Sequence, residues 1–203
     1  MSETVPKDVV DFWFGDATAS PEALERRGTV WFGAGHAFDG ECAARFAAPL
    51  EDAAAGVLDG WADTPHGRLA LVILLDQMPR NIHRSSPAAF AHDRQAAAHC
   101  VAGIEAGQDR SLHPVERLFL YMPLQHAEDL GLQRRSVEQF ESLAAEADDA
   151  WRGHFAENAR YARLHHDIVE RFGRFPHRNR ILGRDSTEEE LRYLADGAPT
   201  FDQ

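Results

Sequence analysis

Helix-start signals constrain the fold of this chain more than any other feature. Four residues that can cap a helix are each followed directly by proline: Ser20, Thr64, Ser86 and His113. Proline suits the first helical position because its ring fixes φ and its missing N–H needs no partner there. Ser186 and Glu189 have the spacing of a capping box, which predicts that a last helix begins directly after Ser186.

Apolar residues recur with helical rather than strand periodicity along the chain. The β-branched pair Val72-Ile73 is short and lies inside a longer apolar helical pattern. The pattern predicts helices near 6–14, 21–27, 37–58, 65–84, 87–106, 114–130, 134–147, 149–173 and 187–196. Because the connections are short, consecutive helices should pack antiparallel. We therefore predict one compact all-α domain over residues 1–203, with about eight or nine antiparallel helices.

Composition supports a globular chain of ordinary size. The sequence has 203 residues, of which 44% are hydrophobic and 27% are charged. The longest clean apolar run, residues 69–75, is too short to span a membrane, and the first residues do not resemble a secretory signal. Cys42 and Cys100 lack disulfide-framework or metal spacing. These observations predict a cytoplasmic protein with two free thiols.

Positive charge is concentrated in one segment of an otherwise acidic chain. The formal net charge is −12, which disfavours general nucleic-acid binding, yet residues 172–184 (FGRFPHRNRILGR) contain four arginines. Gly173 suits a helix C-cap and Pro176 would make the following turn rigid. Two interpretations stay open: a buried knot of salt bridges that holds helices together, or a ligand site.

Other polar residues fall on apolar helix faces. His165 lies in the stripe formed by Trp151, Phe155, Ala162 and Val169. A buried polar group needs a hydrogen-bond partner, so His165 indicates either a structural tie between helices or a polar site. Glu116 also lies on an apolar face, where we expect an arginine as its partner.

Two Met-Pro steps, at Pro79 and Pro123, occur late in apolar helical runs. Proline inside a helix removes a backbone hydrogen bond and kinks the axis. Polar residues follow both steps: Arg80, Asn81 and Arg84 after the first, and Gln125, His126, Glu128 and Asp129 after the second. The shared pattern favours convergence of the two segments on one site.

Several long segments together resemble a bacterial family, the domain of unknown function 924. They are VVDFWFG, RLALVILLDQMPRNIHR, PVERLFLYMPLQHAEDL and RFGRFPHRNRILGRDSTEEE. The resemblance implies an all-helical fold similar to tetratricopeptide repeats, and it implies no known activity. It selects positions in the motifs, among them Asp76, Gln77, Arg80, Asn81, Arg84, Glu116, His126, Glu128, Asp129, His165, Arg174, His177, Arg178 and Asn179.

These residues predict a polar site for a small anionic metabolite that carries a carboxylate or phosphate. Arginine and asparagine side chains match such groups, and imidazoles can move protons near neutral pH. The candidate catalytic residues are His126, His165 and His177. The candidate ligand-binding residues are Gln77, Arg80, Asn81, Arg84, Glu128, Asp129, Arg174, Arg178 and Asn179. No cofactor motif or nucleophile pair is present, so the sequence predicts no cofactor and does not decide whether the protein is an enzyme.

Two further functions stay open at this point. A helical-repeat-like module could bind a protein or an acidic peptide, with the arginine–carboxylate cluster in a structural role. A metal-dependent hydrolase would use His-Asp pairs, which occur at His92-Asp93 and His166-Asp167. Chance accounts for such pairs in a chain with 11 histidines, so we expect no metal site.

Overall fold

Helices make up the regular structure of this chain. The computed structural model describes residues 4–33, 36–199 and 201, and no strand occurs in these ranges. The helices are α1 Pro6–Phe14, α2 Pro21–Phe32, α3 His36–Ala54, α4 Pro65–Val72, α5 Met78–Ile82, α6 Asp93–Glu105, α7 Pro114–His126, α8 Leu130–Glu146, α9 Arg152–Phe172 and α10 Glu188–Ala195. Short 3₁₀ segments connect several of them. The all-α class is confirmed.

The helix-start signals at Ser20 and Thr64 act as the sequence indicates, whereas Ser86-Pro87 begins only a short 3₁₀ segment, Pro87–Phe90, and the helix predicted from residue 87 begins at Asp93. The side chains of Ser20 and Thr64 accept hydrogen bonds from the first turns of α2 and α4, at 3.2 and 3.1 Å. The predicted capping box of α10 was wrong by one residue, because Thr187 caps this helix and Glu190 completes the box. Ser186 Oγ instead accepts a hydrogen bond from Asn179 Nδ2 at 3.0 Å.

The first Met-Pro step interrupts its helix, whereas the second does not. A π-helical turn, Ile73–Gln77, joins α4 to α5 just before Pro79, and all five of its residues are buried. Pro79 has no N–H to donate to the preceding turn, and a wider turn accommodates that loss. Pro123 lies inside α7. The predicted continuous helix over 65–84 is therefore three segments.

An aromatic cluster joins the first helices to the centre of the chain. The Trp31 ring from α2 lies 5.8 Å from Trp13 of α1 and 4.5 Å from Phe119 of α7. Such ring pairs add to the stability that burial of their area gives. The same core extends to Ala162 of α9. Helices α1 and α9, which are far apart in the sequence, thus share one core, whereas the likeness to tetratricopeptide repeats stays a prediction.

The most extensive helix–helix contact in the described ranges is the one between α8 and α9. A smaller apolar cluster lies beyond it, around Ile168, Val169 and Phe175. Gly173 ends α9 in the left-handed conformation at φ 70°, as expected of a C-cap. The arginine-rich segment follows directly, so this helix end determines where that segment begins.

Two sequence predictions about the thiols and the membrane can be compared with the fold. Cys42 and Cys100 are buried free thiols. Burial raises the pKa of the Cys42 thiol to about 12, so it stays protonated at neutral pH. Among the helices of the described residues, none combines the length and apolar character that a bilayer crossing needs.

Candidate functional site

A buried carboxylate and an imidazole form the centre of the polar cluster. Asp76, on the π-helical turn, is completely buried, and its Oδ1 lies 2.8 Å from His126 Nδ1 at the end of α7. Because an ionised carboxylate only accepts hydrogen bonds, His126 carries a proton on Nδ1. In the neutral ring, Nε2 is then a proton acceptor. Gln77 Nε2 also donates to Asp76.

The charges of this pair follow from its surroundings. Burial alone would raise the pKa of Asp76, but the charge of Arg80, with Nη1 3.2 Å from Oδ1, and the contact with His126 lower it to about 2. Burial and the charge of Arg80 lower the pKa of His126, against the effect of Asp76. At neutral pH the cluster therefore contains an ionised Asp76 and a neutral His126.

Asp93, at the start of α6, joins two arginines from distant segments. Arg80 Nη1 and Nη2 donate to its two carboxylate oxygens at 2.8 and 3.0 Å, and Arg178 Nη1 donates at 3.4 Å. Arg178 Nη1 also donates to the His126 carbonyl at 3.0 Å. Both guanidiniums lie over the Phe90 ring, 5.7 and 4.7 Å from its centroid. This arrangement ties the arginine-rich segment to α5, α6 and α7.

Arg178 is a buried arginine, and burial and neighbouring charges change its pKa. Its residue surface is only 3% exposed. Burial, with the neighbouring charge of Arg80, lowers the pKa of Arg178 to about 10, although Asp93 acts in the opposite direction. The guanidinium thus stays charged at neutral pH, and the carboxylates of Asp93, Glu128 and Asp76 favour its charged form.

A second pair binds the arginine-rich segment to the end of α7. Arg184 donates to both oxygens of Glu128, at 2.6 and 2.9 Å, and the Phe175 backbone N–H donates to Glu128 Oε1 at 2.8 Å. Burial would raise the pKa of Glu128, but the hydrogen bonds from Arg184 and Phe175 outweigh it and lower the pKa. Glu128 therefore fixes both ends of the turn that follows α9.

A third pair joins the same segment to α10. Arg174 donates through Nε and Nη2 to the two oxygens of Glu190, at 2.7 and 2.8 Å. Asn179 Nδ2 donates to Ser186 Oγ and, at 3.3 Å, to Glu190 Oε2. Arg184 Nε donates to Asn179 Oδ1 at 3.0 Å. The side chains of Arg174 and Asn179 are thus hydrogen-bonded to other groups of the protein.

The remaining candidate histidines lie next to this cluster. His165 Nδ1 is 2.8 Å from the Tyr161 carbonyl and therefore donates to it, and the His165 ring centroid is 6.5 Å from that of His126. Phe201 stacks on His165 at 3.7 Å and lies 5.5 Å from the His177 ring. Burial lowers the pKa of His165 to about 3, so this ring is neutral.

Three of the predicted site residues, Asn81, Arg84 and Asp129, form side-chain hydrogen bonds outside the cluster around Asp76, His126 and Asp93. Arg84 binds Asp39 through two hydrogen bonds of 2.9 Å, and Asn81 Nδ2 donates to the carbonyl of Gln77, the last residue of the preceding π-helical turn. Asp129 Oδ1 caps α8 by accepting from Leu132 N at 2.9 Å.

The arginine predicted as the partner of Glu116 was wrong. Glu116 Oε2 accepts from the backbone of His113 at 2.9 Å, and its Oε1 lies 3.3 Å from His66 Nε2. Glu116 is the third residue of α7, where a carboxylate satisfies the unpaired N–H of its own helix start. Local capping therefore stabilises the Glu116 carboxylate, which needs no arginine partner.

Three residues that hold the cluster together are not among the candidate site residues predicted from the sequence, although the family motifs include Asp76. The (i, i+4) spacing of Asp76 and Arg80 is also typical of an exposed surface pair, so the sequence alone does not indicate that Asp76 is buried. Asp93 and Phe90 belong to a separate segment, and no local pattern relates them to Arg178. Only the tertiary fold brings them together.

A groove of about 710 Å³ lies against this cluster, between the start of α6 and the α7–α8 turn. Its apolar lining includes Phe90, Ala97, Ala98, Val101, Leu132 and Leu182. Its charged lining consists of Asp93, Arg94, Glu128 and Asp129. The volume is within the usual range for sites that bind small molecules. We call this cavity the α6–α8 groove.

One group of side chains in the described ranges has the proximity of metal ligands. Ligand atoms of His166, Asp167 and Glu170 lie within 4.8 Å of one another, and the two carboxylates are exposed on α9. At the other His-Asp pair, Asp93 is bound to two arginines. An exposed group of this kind is common in proteins that bind no metal.

Comparison with known families adds to this geometry. The family model described as a bacterial protein of unknown function (DUF924) matches residues 9–198. The chain belongs to this family. The match includes all the candidate catalytic and ligand-binding residues, so the polar cluster is within the family region.

A solved structure resembles this member of the DUF924 family along nearly its whole length. It is the structure of the protein of unknown function ATU0120 from Agrobacterium tumefaciens, with 38% sequence identity and a TM-score of 0.79. The similarity covers 95% of this chain and 97% of the other. A search of curated proteins found no match. The comparisons thus give the family and the helical fold, with no activity attached.

Proposed function

We propose that the α6–α8 groove binds a small molecule with an apolar body and an anionic group, either a carboxylate or a phosphate. The observation that carries this proposal is the combination of apolar walls with Arg94 in the lining of one cavity. Arg94 is exposed, and no ion pair of the described residues involves it. An unpaired guanidinium beside apolar surface suits a ligand of this class.

In this proposal the other arginines have a supporting role. Arg80 and Arg178 share Asp93, and Arg184 binds Glu128, so their charges are already compensated. They hold the two carboxylates at the groove in fixed positions, and rigid support of this kind favours binding. Arg80 Nε is a buried donor without a hydrogen-bond partner in the described part of the chain.

His126 belongs to the buried cluster next to the groove and does not line the groove itself. Asp76 fixes its Nδ1–H tautomer, which leaves Nε2 as the basic atom. A neutral imidazole oriented by a carboxylate can act as a general base. Our proposal is limited to binding, because the groove lining includes neither His126 nor a paired nucleophile.

A protein-interaction role is the second candidate. The groove is bordered by exposed residues such as Ala98 and Asp129, so a peptide side chain could also enter it. A peptide would need contacts outside the cavity, whereas a small molecule would not. A substitution that fills the cavity therefore removes all contacts of a small molecule, whereas a peptide keeps its contacts outside the cavity.

The proposal is tested by a thermal-shift screen of carboxylate- and phosphate-bearing metabolites. A ligand that binds the native state raises Tm by mass action. We expect stabilising compounds for the wild type and none for Ala98→Trp, whose indole would fill the groove. Ala44→Trp is the matched control, since Ala44 is exposed on α3 outside the groove. The absence of any stabilising anion for the wild type would refute the proposal.

A further inference from the structure

The charges around the α6–α8 groove are balanced. Asp93, Glu128 and Asp129 line the groove, and the buried Asp76, which does not line it, is the second carboxylate partner of Arg80. Arg80, Arg94, Arg178 and Arg184 supply four guanidiniums. A ligand with a net negative charge would disturb this balance in a chain that already has a net charge of −12. A ligand with no net charge would not.

Within the lining, two of these charges lack an ion-pair partner. Asp93 is compensated by Arg80 and Arg178, and Glu128 is compensated by Arg184. In the described part of the chain, no salt bridge involves Arg94 or Asp129. Asp129 uses Oδ1 to cap α8. The groove therefore offers one unpaired cation and one unpaired anion beside its apolar wall.

We infer that the ligand is a zwitterion with an apolar side chain, as in an apolar α-amino acid. This inference rests on the proposed function, because it assigns the anionic group of that ligand to Arg94. The ligand carboxylate binds Arg94, its ammonium group binds Asp129, and its side chain packs against Val101 and Leu132. Guanidinium–carboxylate and ammonium–carboxylate contacts of this kind are charge-assisted hydrogen bonds.

The ligand class follows from three properties of the groove taken together. Apolar walls without charges would accept hydrocarbons, and Arg94 alone would accept simple carboxylates. Asp129 adds an attraction for ammonium that a simple carboxylate cannot use. A zwitterion is the class of ligand that uses all three while adding no net charge to the balanced site.

The test compares three probes by titration calorimetry: leucine, 4-methylpentanoate, which lacks the amine, and 3-methylbutylamine, which lacks the carboxylate. We expect leucine to bind at least tenfold more tightly than either analogue. Asp129→Asn should remove most of the difference between leucine and 4-methylpentanoate. Asparagine still caps a helix, so this variant should remain folded. Arg94→Gln should remove most of the difference between leucine and 3-methylbutylamine.

The outcomes separate this inference from the proposed function. Equal affinity for leucine and 4-methylpentanoate would overturn the zwitterion inference and leave the anion site intact. Binding of 3-methylbutylamine alone would overturn both. A preference for leucine that persists in Asp129→Asn would overturn the role of Asp129. Arg134→Ala, at an exposed position of α8 outside the groove lining, is the control for general charge effects.

Discussion

His165 and Phe201 stack with their ring centroids 3.7 Å apart. This contact places a residue from the end of the chain over an imidazole of the polar cluster. His165 is only 2% exposed, and burial lowers its pKa to about 3. The position of Phe201 therefore contributes to keeping His165 neutral.

Removal of the Phe201 ring should change the titration of His165. In Phe201→Ala we expect the pKa of His165 to rise from about 3 toward its ordinary value of about 6.5, because water reaches the ring. The imidazole resonances in an NMR pH titration measure this change. Phe172→Ala is the matched control, because Phe172 packs on Tyr193 instead. An unchanged titration in Phe201→Ala would show that other groups bury His165.

Asp76 should make the protein sensitive to acid. The folded-state pKa of Asp76, about 2, is below its ordinary value of 3.8. Its ionised form therefore stabilises the fold above about pH 4, and that contribution is lost as the pH falls toward 2. Asp76→Asn should lower the free energy of unfolding at pH 7 by about 2–3 kcal/mol and reduce the acid-dependent loss.

Urea unfolding monitored by circular dichroism at several pH values measures the effect of Asp76. Glu157→Gln is the control, since Glu157 pairs with Arg160 on the exposed surface of α9. We expect its unfolding midpoint to be unchanged. A free energy of unfolding for Asp76→Asn equal to that of the wild type would contradict the role we assign to this carboxylate.

Arg178 and Arg94 should differ in what their removal costs. Arg178→Ala leaves Asp93 with one arginine and removes the guanidinium from the Phe90 and Phe175 rings. Breaking a buried pair typically lowers stability by about 3–5 kcal/mol. Arg94→Ala, at an exposed position, should change stability by less than about 0.5 kcal/mol. Chemical denaturation of both variants measures the contrast. Equal losses would contradict the division between supporting and ligand-facing arginines.

Local sequence signals predicted most of the helices, although the helix expected from Pro87 begins at Asp93. The cap at Ser20 and the C-cap at Gly173 depend on neighbouring residues alone, so a short pattern was sufficient. The π-helical turn before Pro79 was not predicted, because a missing hydrogen bond can produce either a kink or a wider turn. The surrounding core, in which Ile73–Gln77 is buried, determines the outcome.

The site was predicted less completely than the fold. His126 and Arg178 were selected from polar residues near prolines, and the fold brings them into contact. The bridging carboxylate, Asp93, occurs in the sequence only as part of a His-Asp pair that chance explains, and its arginine partners are 13 and 85 residues away. Phe201 likewise has no sequence pattern that relates it to His165. Such long-range partners follow only from tertiary packing.

Binding in the α6–α8 groove is tested most directly by an NMR titration of ¹⁵N-labelled protein with 4-methylpentanoate, a carboxylate with a branched apolar tail. Our account predicts saturable shifts of the Ala97, Val101 and Leu132 amides, with smaller shifts for the uncharged 4-methylpentan-1-ol. The same titration of Ala98→Trp should give no saturable shifts. Wild-type spectra without saturable shifts, or shifts in residues remote from the groove that persist in Ala98→Trp, would contradict the account.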